Sequence, residues 1–214
     1  MAKGFFITLE GTEGGGKTTQ IARLVERLRS CGRTCRALRE PGGTEIGEEI
    51  RHTLKHSARN HAMTAETELL LMNASRAQLV REVIRPSLDA GEVVVCDRFY
   101  DSTLAYQGYG RGLDLEFIRR LTDFAVGSTR PDLTLFLAVP VEVSEARRRA
   151  RESVTVPVRD RFEEADRPFF LRVEEGFRAL VAAEPDRIVT VDATREIGQV
   201  EADIWRAVGN RLPD

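Results

Sequence analysis

Short runs of consecutive apolar residues punctuate this chain, and between them apolar positions recur every three or four residues. The first run, Phe5-Phe6-Ile7-Thr8-Leu9, ends in a glycine-rich turn, after which Ile21, Leu24, Val25 and Leu28 repeat at helical spacing. The pattern predicts strand, loop and helix. The same alternation predicts strands over 34–39, 93–96, 133–139 and 187–191. It predicts helices over about 66–90, 142–151 and 163–183, and a last helix ending near 211. Strands that are apolar throughout and separated by helices indicate a parallel sheet covered on both faces, an α/β fold of five strands. The least regular stretch is 151–161, where Ser153-Val154-Thr155-Val156-Pro157-Val158 interrupts a run of arginines; it reads as a lid. No internal repeat or low-complexity linker divides the chain, so residues 1–214 read as one domain.

Composition narrows the picture. With 42% hydrophobic and 31% charged residues, 214 residues can build a sizeable core beneath a charged surface. A formal charge of -2, from 32 basic and 34 acidic residues, excludes a nucleic-acid coat or a polybasic membrane anchor, so anion binding must come from local clustering. The N-terminal apolar run is too short for a signal segment and no window approaches a membrane span; the expected location is cytoplasmic. Cys31, Cys35 and Cys96 lack the spacing of a disulfide framework and are expected to be free thiols. His52 and His56, four apart on a helix, and His61 read as exposed helix histidines.

Candidate chemistry begins with Gly11-Thr12-Glu13-Gly14-Gly15-Gly16-Lys17-Thr18, which satisfies G-x-x-x-x-G-K-[ST] between a predicted strand and a predicted helix. Glycines let successive backbone N–H groups turn toward phosphate oxygens, and the helix N-terminus adds its positive end. Lys17 reaches the β- and γ-phosphates, and the Thr18 hydroxyl can ligate Mg²⁺. The expected architecture is a P-loop three-layer sandwich, a parallel sheet flanked by helices. Its ATP-binding set is Gly11, Thr12, Glu13, Gly14, Gly15, Gly16, Lys17, Thr18 and Thr19. Asp97 ends the apolar run 93–96 at the sheet edge where open α/β folds bind ligands, which makes it a magnesium candidate, and Arg98 brings a guanidinium to the same edge. Glu13 puts a negative charge inside a phosphate loop. It must turn away from the phosphates, toward a sugar hydroxyl or the metal's water shell.

Several ordered segments resemble the bacterial thymidylate kinases over nearly the whole chain: the P-loop with its acidic third position, Arg39-Glu40-Pro41-Gly42-Gly43-Thr44, the stretch 68–78, Asp97-Arg98-Phe99 with Ser102 to Gly108, and Asp160-Arg161-Phe162-Glu163. The resemblance implies transfer of the γ-phosphoryl group of Mg·ATP to deoxythymidine monophosphate (dTMP), giving dTDP and ADP. It also implies a homodimer. By similarity Arg76 donates to a thymine carbonyl, Thr103 and Gln107 contact the other polar edge of the base, and Met72 covers the ring. Met72 stands where the family usually has Phe, and Ala138 where it commonly has Asp. Similarity further assigns Glu13 to the acceptor 3′-hydroxyl, Arg98 and Arg51 to the acceptor phosphate, and Tyr106 to the sugar face, where its bulk excludes a 2′-hydroxyl. No arginine lies between Gly11 and Gly16, so the charge over the moving phosphoryl is expected from a lid at about 147–162. There Arg151 and Arg161 are assigned to the phosphates and Arg147 to the adenine side. The apolar stretch 154–158 departs from a glycine-containing lid.

These residues offer no nucleophile–base pair, so direct in-line transfer is expected. The rivals are a kinase for another nucleoside monophosphate, an ATP-hydrolysing module, and a GTP switch, whose Asn-Lys-x-Asp sequence does not occur.

Overall fold

A computed structural model describes residues 4–57, 59–152 and 166–213, residues 151 and 152 by their backbone alone. Five strands, β1 (Phe5–Glu10), β2 (Cys35–Arg39), β3 (Val93–Asp97), β4 (Leu133–Ala138) and β5 (Ile188–Asp192), form one parallel sheet in the order β2-β3-β1-β4-β5. The register sets Leu9 beside Asp97 and Arg39 beside Asp97. The carboxyl ends of the three strands that carry the candidate chemistry therefore finish at one edge.

Side-chain alternation splits the core into two layers. Phe5, Ile7, Leu9, Val93, Val95 and Leu135 face α1 (Lys17–Ser30) and α9 (Ile197–Gly209), packing on Leu24, Leu28, Ile204 and Val208. Phe6, Val94, Cys96 and Phe136 face the other way, onto α3 (Ala65–Leu79), α6 (Leu115–Val126) and α8 (Arg167–Ala183) through Leu69, Leu79, Ile118 and Phe177. This is the three-layer sandwich expected from the sequence. Its edge strand β2 buries only Cys35 fully, which is why its apolar signal is the weakest of the five.

Three differences from the sequence reading matter to the site. The helix expected over 66–90 is α3, a π-helical turn at Val80–Ile84 and a short α4 (Arg85–Asp89). Residues 100–126, where no helix was expected, fold into α5 (Tyr100–Thr103), a π-helical turn at Leu104–Gly110 and α6. The widened turn shifts the apolar period, and Gly108 and Gly110 interrupt it. The helix expected to carry His52 and His56 is α2 (Glu45–Lys55), which ends just before His56 and is capped by Thr44, whose hydroxyl accepts from the Gly47 N–H at 3.0 Å. Finally, α8 begins at Arg167 behind an Asp166 cap, whose carboxylate accepts from the Phe169 N–H; α7 (Val141–Glu152) precedes it. Most of the expected lid, including Arg159 and Arg161, lies outside the described residues. No helix among the described residues is long and apolar enough to cross a membrane, and the three cysteines are free.

Candidate active site

The loop between β1 and α1 takes backbone angles that L-side chains resist: φ is 136° at Gly11, 76° at Gly14 and 85° at Gly16. At Gly11 a Cβ would also stand 2.6 Å from the Leu137 carbonyl oxygen, so this turn requires glycine. Lys17 opens α1 and folds back over the loop, its Nζ donating to the carbonyls of Gly11 (3.2 Å) and Thr12 (3.0 Å). Burial and the nearby Arg98 guanidinium push the Lys17 pKa below the ordinary lysine value, against the pull of Glu13 and Asp97.

The loop faces an open cleft of about 760 Å³ whose lining includes Lys17, Thr18, Thr19, Asp97, Arg98, Arg51 and Arg147. Asp97 Oδ1 is buried and without a hydrogen-bond partner, a costly state for a carboxylate oxygen that a cation would relieve. Thr18 and Asp97 together fit a hard cation that takes few protein oxygens and fills its shell with phosphates and water.

Arg98 follows β3 in the left-handed region, with φ of 70°, the one non-glycine residue among those described with positive φ. A side chain held there at a cost of about 1 kcal/mol is a sign of a site that needs its direction. Its Nη2 donates to Glu13 Oε1 at 3.0 Å and to the Tyr106 hydroxyl at 3.1 Å, and its Nη1 donates to Ser102 Oγ at 2.9 Å. Burial alone would raise the Glu13 pKa, but Arg98, Lys17 and Lys55 together hold it well below the usual carboxylate range. Glu13 therefore turns onto Arg98, a partner that the loop motif alone does not reveal.

Behind Arg98 lies a narrower pocket lined by Pro41, Met72, Arg76, Thr103, Tyr106 and Gln107 among others. Met72 and Arg76 meet there from one face of α3 as their spacing implies, and Met72 also packs on the core. Arg76 is only 1% exposed. Its Nε donates to Glu40 Oε2 (2.8 Å), its Nη1 to Asn73 Oδ1 (3.1 Å) and its Nη2 to Thr103 Oγ1 (2.9 Å). Burial raises the Glu40 carboxyl to about 7 against the opposing charge of Arg76. Tyr106 and Gln107 lie on the π-helical turn, which α5 ties to the sheet: both Asp101 oxygens accept from Arg187, at 2.7 and 2.8 Å.

Other expected residues separate. Arg51 Nη1 donates to the Pro41 carbonyl at 2.8 Å on the cleft wall. Arg147 Nη1 donates to the Ala193 carbonyl at 2.9 Å and the Gly14 carbonyl at 3.4 Å, closing a third recess with Thr19, Gln20 and the segment 193–197. Arg148 lays its stem beside Gly14 of the loop but turns its guanidinium over the Phe170 ring, and Arg149 pairs with Glu145. The Arg151 side chain and Arg161 lie outside the described residues.

Sequence reasoning missed Glu10, Glu40, Lys55, Glu68 and Ser102. Glu10 is fully buried, accepts from the Phe99 N–H (2.7 Å) and Ser102 Oγ (2.5 Å), and is raised to about 8 by burial and by the charge of Asp101. Its signal was a glutamate ending an apolar run just before the glycine loop. For Glu40 the signal was an acid before Pro41 at the end of β2.

A family model described as thymidylate kinase matches residues 9–204. A thymidylate kinase of Synechococcus sp. is 53% identical over 208 residues, covering 97% of this chain and 96% of the relative. That of Deinococcus radiodurans is 47% identical over 213 residues, 99% of each. The crystal structure of thymidylate kinase from Ehrlichia chaffeensis superposes with a TM-score of 0.78 at 31% identity, covering 96% of this chain and 99% of that one.

Proposed function

This chain belongs to the thymidylate kinase family, and from that membership we infer that it transfers the γ-phosphoryl group of ATP to dTMP, giving dTDP and ADP for deoxythymidine triphosphate synthesis. The observation that carries the site assignment is the position of Arg98 and Glu13, which line both the phosphate cleft and the narrow pocket behind it. A group shared by two adjoining compartments suits a reaction that brings two phosphorylated substrates together.

In this reading the loop amides and Lys17 hold the β- and γ-phosphates, and Arg147 borders adenine in the third recess. Arg98 holds the acceptor phosphate with help from Arg51, and Glu13 takes the 3′-hydroxyl. Tyr106 fills the space a 2′-hydroxyl would need. Arg76, Thr103 and Gln107 read the base beneath Met72. Thr18 and the orphaned oxygen of Asp97 would hold Mg²⁺, which would supply charge neutralisation at the phosphates. No protein nucleophile intervenes, so catalysis lies in alignment and charge. The reading keeps one domain, with Arg151 and Arg161 assigned by family resemblance to the transferred group in the stretch 147–162, most of which lies outside the described residues.

Homodimerisation belongs to the same proposal. It is supported by Leu70 on α3 and by Phe117 and Phe124 on the adjoining α6, which are 54%, 49% and 77% exposed. Free thiols suit a reducing compartment, and we place the enzyme in the cytoplasm. The test is ADP formation from Mg·ATP with each nucleoside and deoxynucleoside monophosphate beside an acceptor-free control. Rapid turnover with dTMP is expected; preference for another acceptor, or turnover that needs none, would overturn the reading.

A further inference from the structure

Glu68 lies on α3 one turn before Met72 and two turns before Arg76, and it is fully buried. Its Oε1 accepts from Gln107 Nε2 at 2.9 Å and from Arg111 Nε at 3.2 Å, while Oε2 accepts from Arg111 Nη2 at 3.0 Å. Arg111 is itself held over the Phe169 ring, 4.6 Å from its centroid.

A carboxylate paired with a guanidinium only accepts hydrogen bonds. The end of the Gln107 amide that meets it must therefore be the NH₂ group. The two ends of an amide differ by one heavy atom, so an unconstrained glutamine offers either face at little cost; here the Glu68 charge removes the choice. With one N–H committed to Glu68, Gln107 keeps a carbonyl oxygen and its second N–H for the pocket it lines. That donor–acceptor pair matches the 4-carbonyl and N3–H of a thymine or uracil. It opposes cytosine, which carries an amino group and a bare N3 at the same two positions.

We propose that Glu68 is a positioning residue that sets the base class accepted by this site: by fixing which way the Gln107 amide faces, it selects 4-oxopyrimidines over 4-aminopyrimidines. The proposal rests on the dTMP kinase reading and adds a residue that does not itself touch the substrate. In an E68Q variant the buried partner can either donate or accept, so both Gln107 orientations become available. The charge-assisted bond that favours one of them is lost, and such bonds are among the stronger in proteins.

The experiment measures kcat and KM of the full chain and of E68Q with dTMP, dUMP and dCMP. The wild type is expected to prefer dTMP to dCMP strongly. In E68Q the ratio of kcat/KM for dTMP over dCMP should fall by about tenfold or more, mainly through KM. The dTMP to dUMP ratio should stay within about twofold, because those two bases present the same polar edge. A merely structural role would lower all three substrates together and leave both ratios in place, and that result overturns the proposal. If E68Q does not fold, the double variant E68L/R111M replaces the ion pair by apolar groups of similar size, a change buried pairs commonly tolerate; it too must lose the dTMP to dCMP ratio, and retention overturns the proposal. A wild type that does not favour dTMP would instead refute the functional reading.

Discussion

Replacing Arg76 by methionine tests whether the buried network around the narrow pocket is as desolvated as its geometry requires. The guanidinium and the Glu40 carboxylate are 2% and 3% exposed and 2.8 Å apart. The substitution keeps most of the side-chain volume but strips the hydrogen bonds from Glu40, Asn73 and Thr103. Losing one partner of such a pair costs about 3–5 kcal/mol, and part of that cost depends on pH. With its folded-state value raised to about 7, above an ordinary value of 4.5, Glu40 binds its proton more tightly folded than unfolded, so its contribution to stability falls as pH rises from 4.5. In the wild type the fall levels off above about 7. Without Arg76 the carboxyl is held protonated to higher pH, and the fall continues at up to about 1.4 kcal/mol per pH unit. The destabilisation should therefore be about 3 kcal/mol at pH 7, and larger at pH 8 than at pH 6 by about 1 kcal/mol. Urea unfolding followed by circular dichroism at the two pH values measures it, and thermal melts at neutral pH should drop by about 6–12 °C. Adding Glu40→Gln should remove the pH-dependent part. A loss below about 1 kcal/mol at pH 8, or the same loss at both pH values, would refute the reasoning.

Arg98→Ala should lower kcat/KM for dTMP by about 10²–10³-fold, as loss of a charge at developing or transferred phosphate does, with little change in ATP binding at the loop; steady-state kinetics in both substrates check it. Glu10, raised to about 8 from 4.5 by burial, also binds its proton more tightly in the folded state. Its contribution to stability is therefore present below 4.5 and lost as pH rises toward 8, and Glu10→Gln should flatten the melting temperature across that window. Phe124→Glu, on the most exposed large apolar side chain among the described residues, should shift sedimentation from the proposed dimer to monomer; an unchanged dimer would place the interface elsewhere.

Legibility in the sequence followed the range of the interaction. The strands at 5–9, 93–96 and 133–139 could be read because a strand buried on both faces needs apolar residues at every position, a signal carried in five adjacent letters. The glycine loop was equally local: φ of 136° at Gly11 and 85° at Gly16 leaves little choice of residue. The segment 100–126 was hidden because the π-helical turn at Leu104–Gly110 adds a residue to the period on which helix recognition depends. Most of what was missed in the site is separated further along the chain. Arg76 was assigned to the base by family similarity, yet it also pairs with Glu40, 36 residues away. Glu10 is satisfied by an amide 89 residues along the chain, and Gln107 is oriented by a carboxylate 39 residues before it. A buried acid is tolerable only with partners, and one sequence names the acid without naming the partner. What the sequence does carry is the anomaly itself. Glu10 closes an apolar strand, Glu40 stands between the edge strand β2 and Pro41, and Glu68 occupies the helix face that Met72 and Arg76 share. An acid on a face otherwise committed to burial implies a hidden cation or amide, and in this fold all three acids meet residues that line the base pocket: Phe99 and Ser102 for Glu10, Arg76 for Glu40 and Gln107 for Glu68.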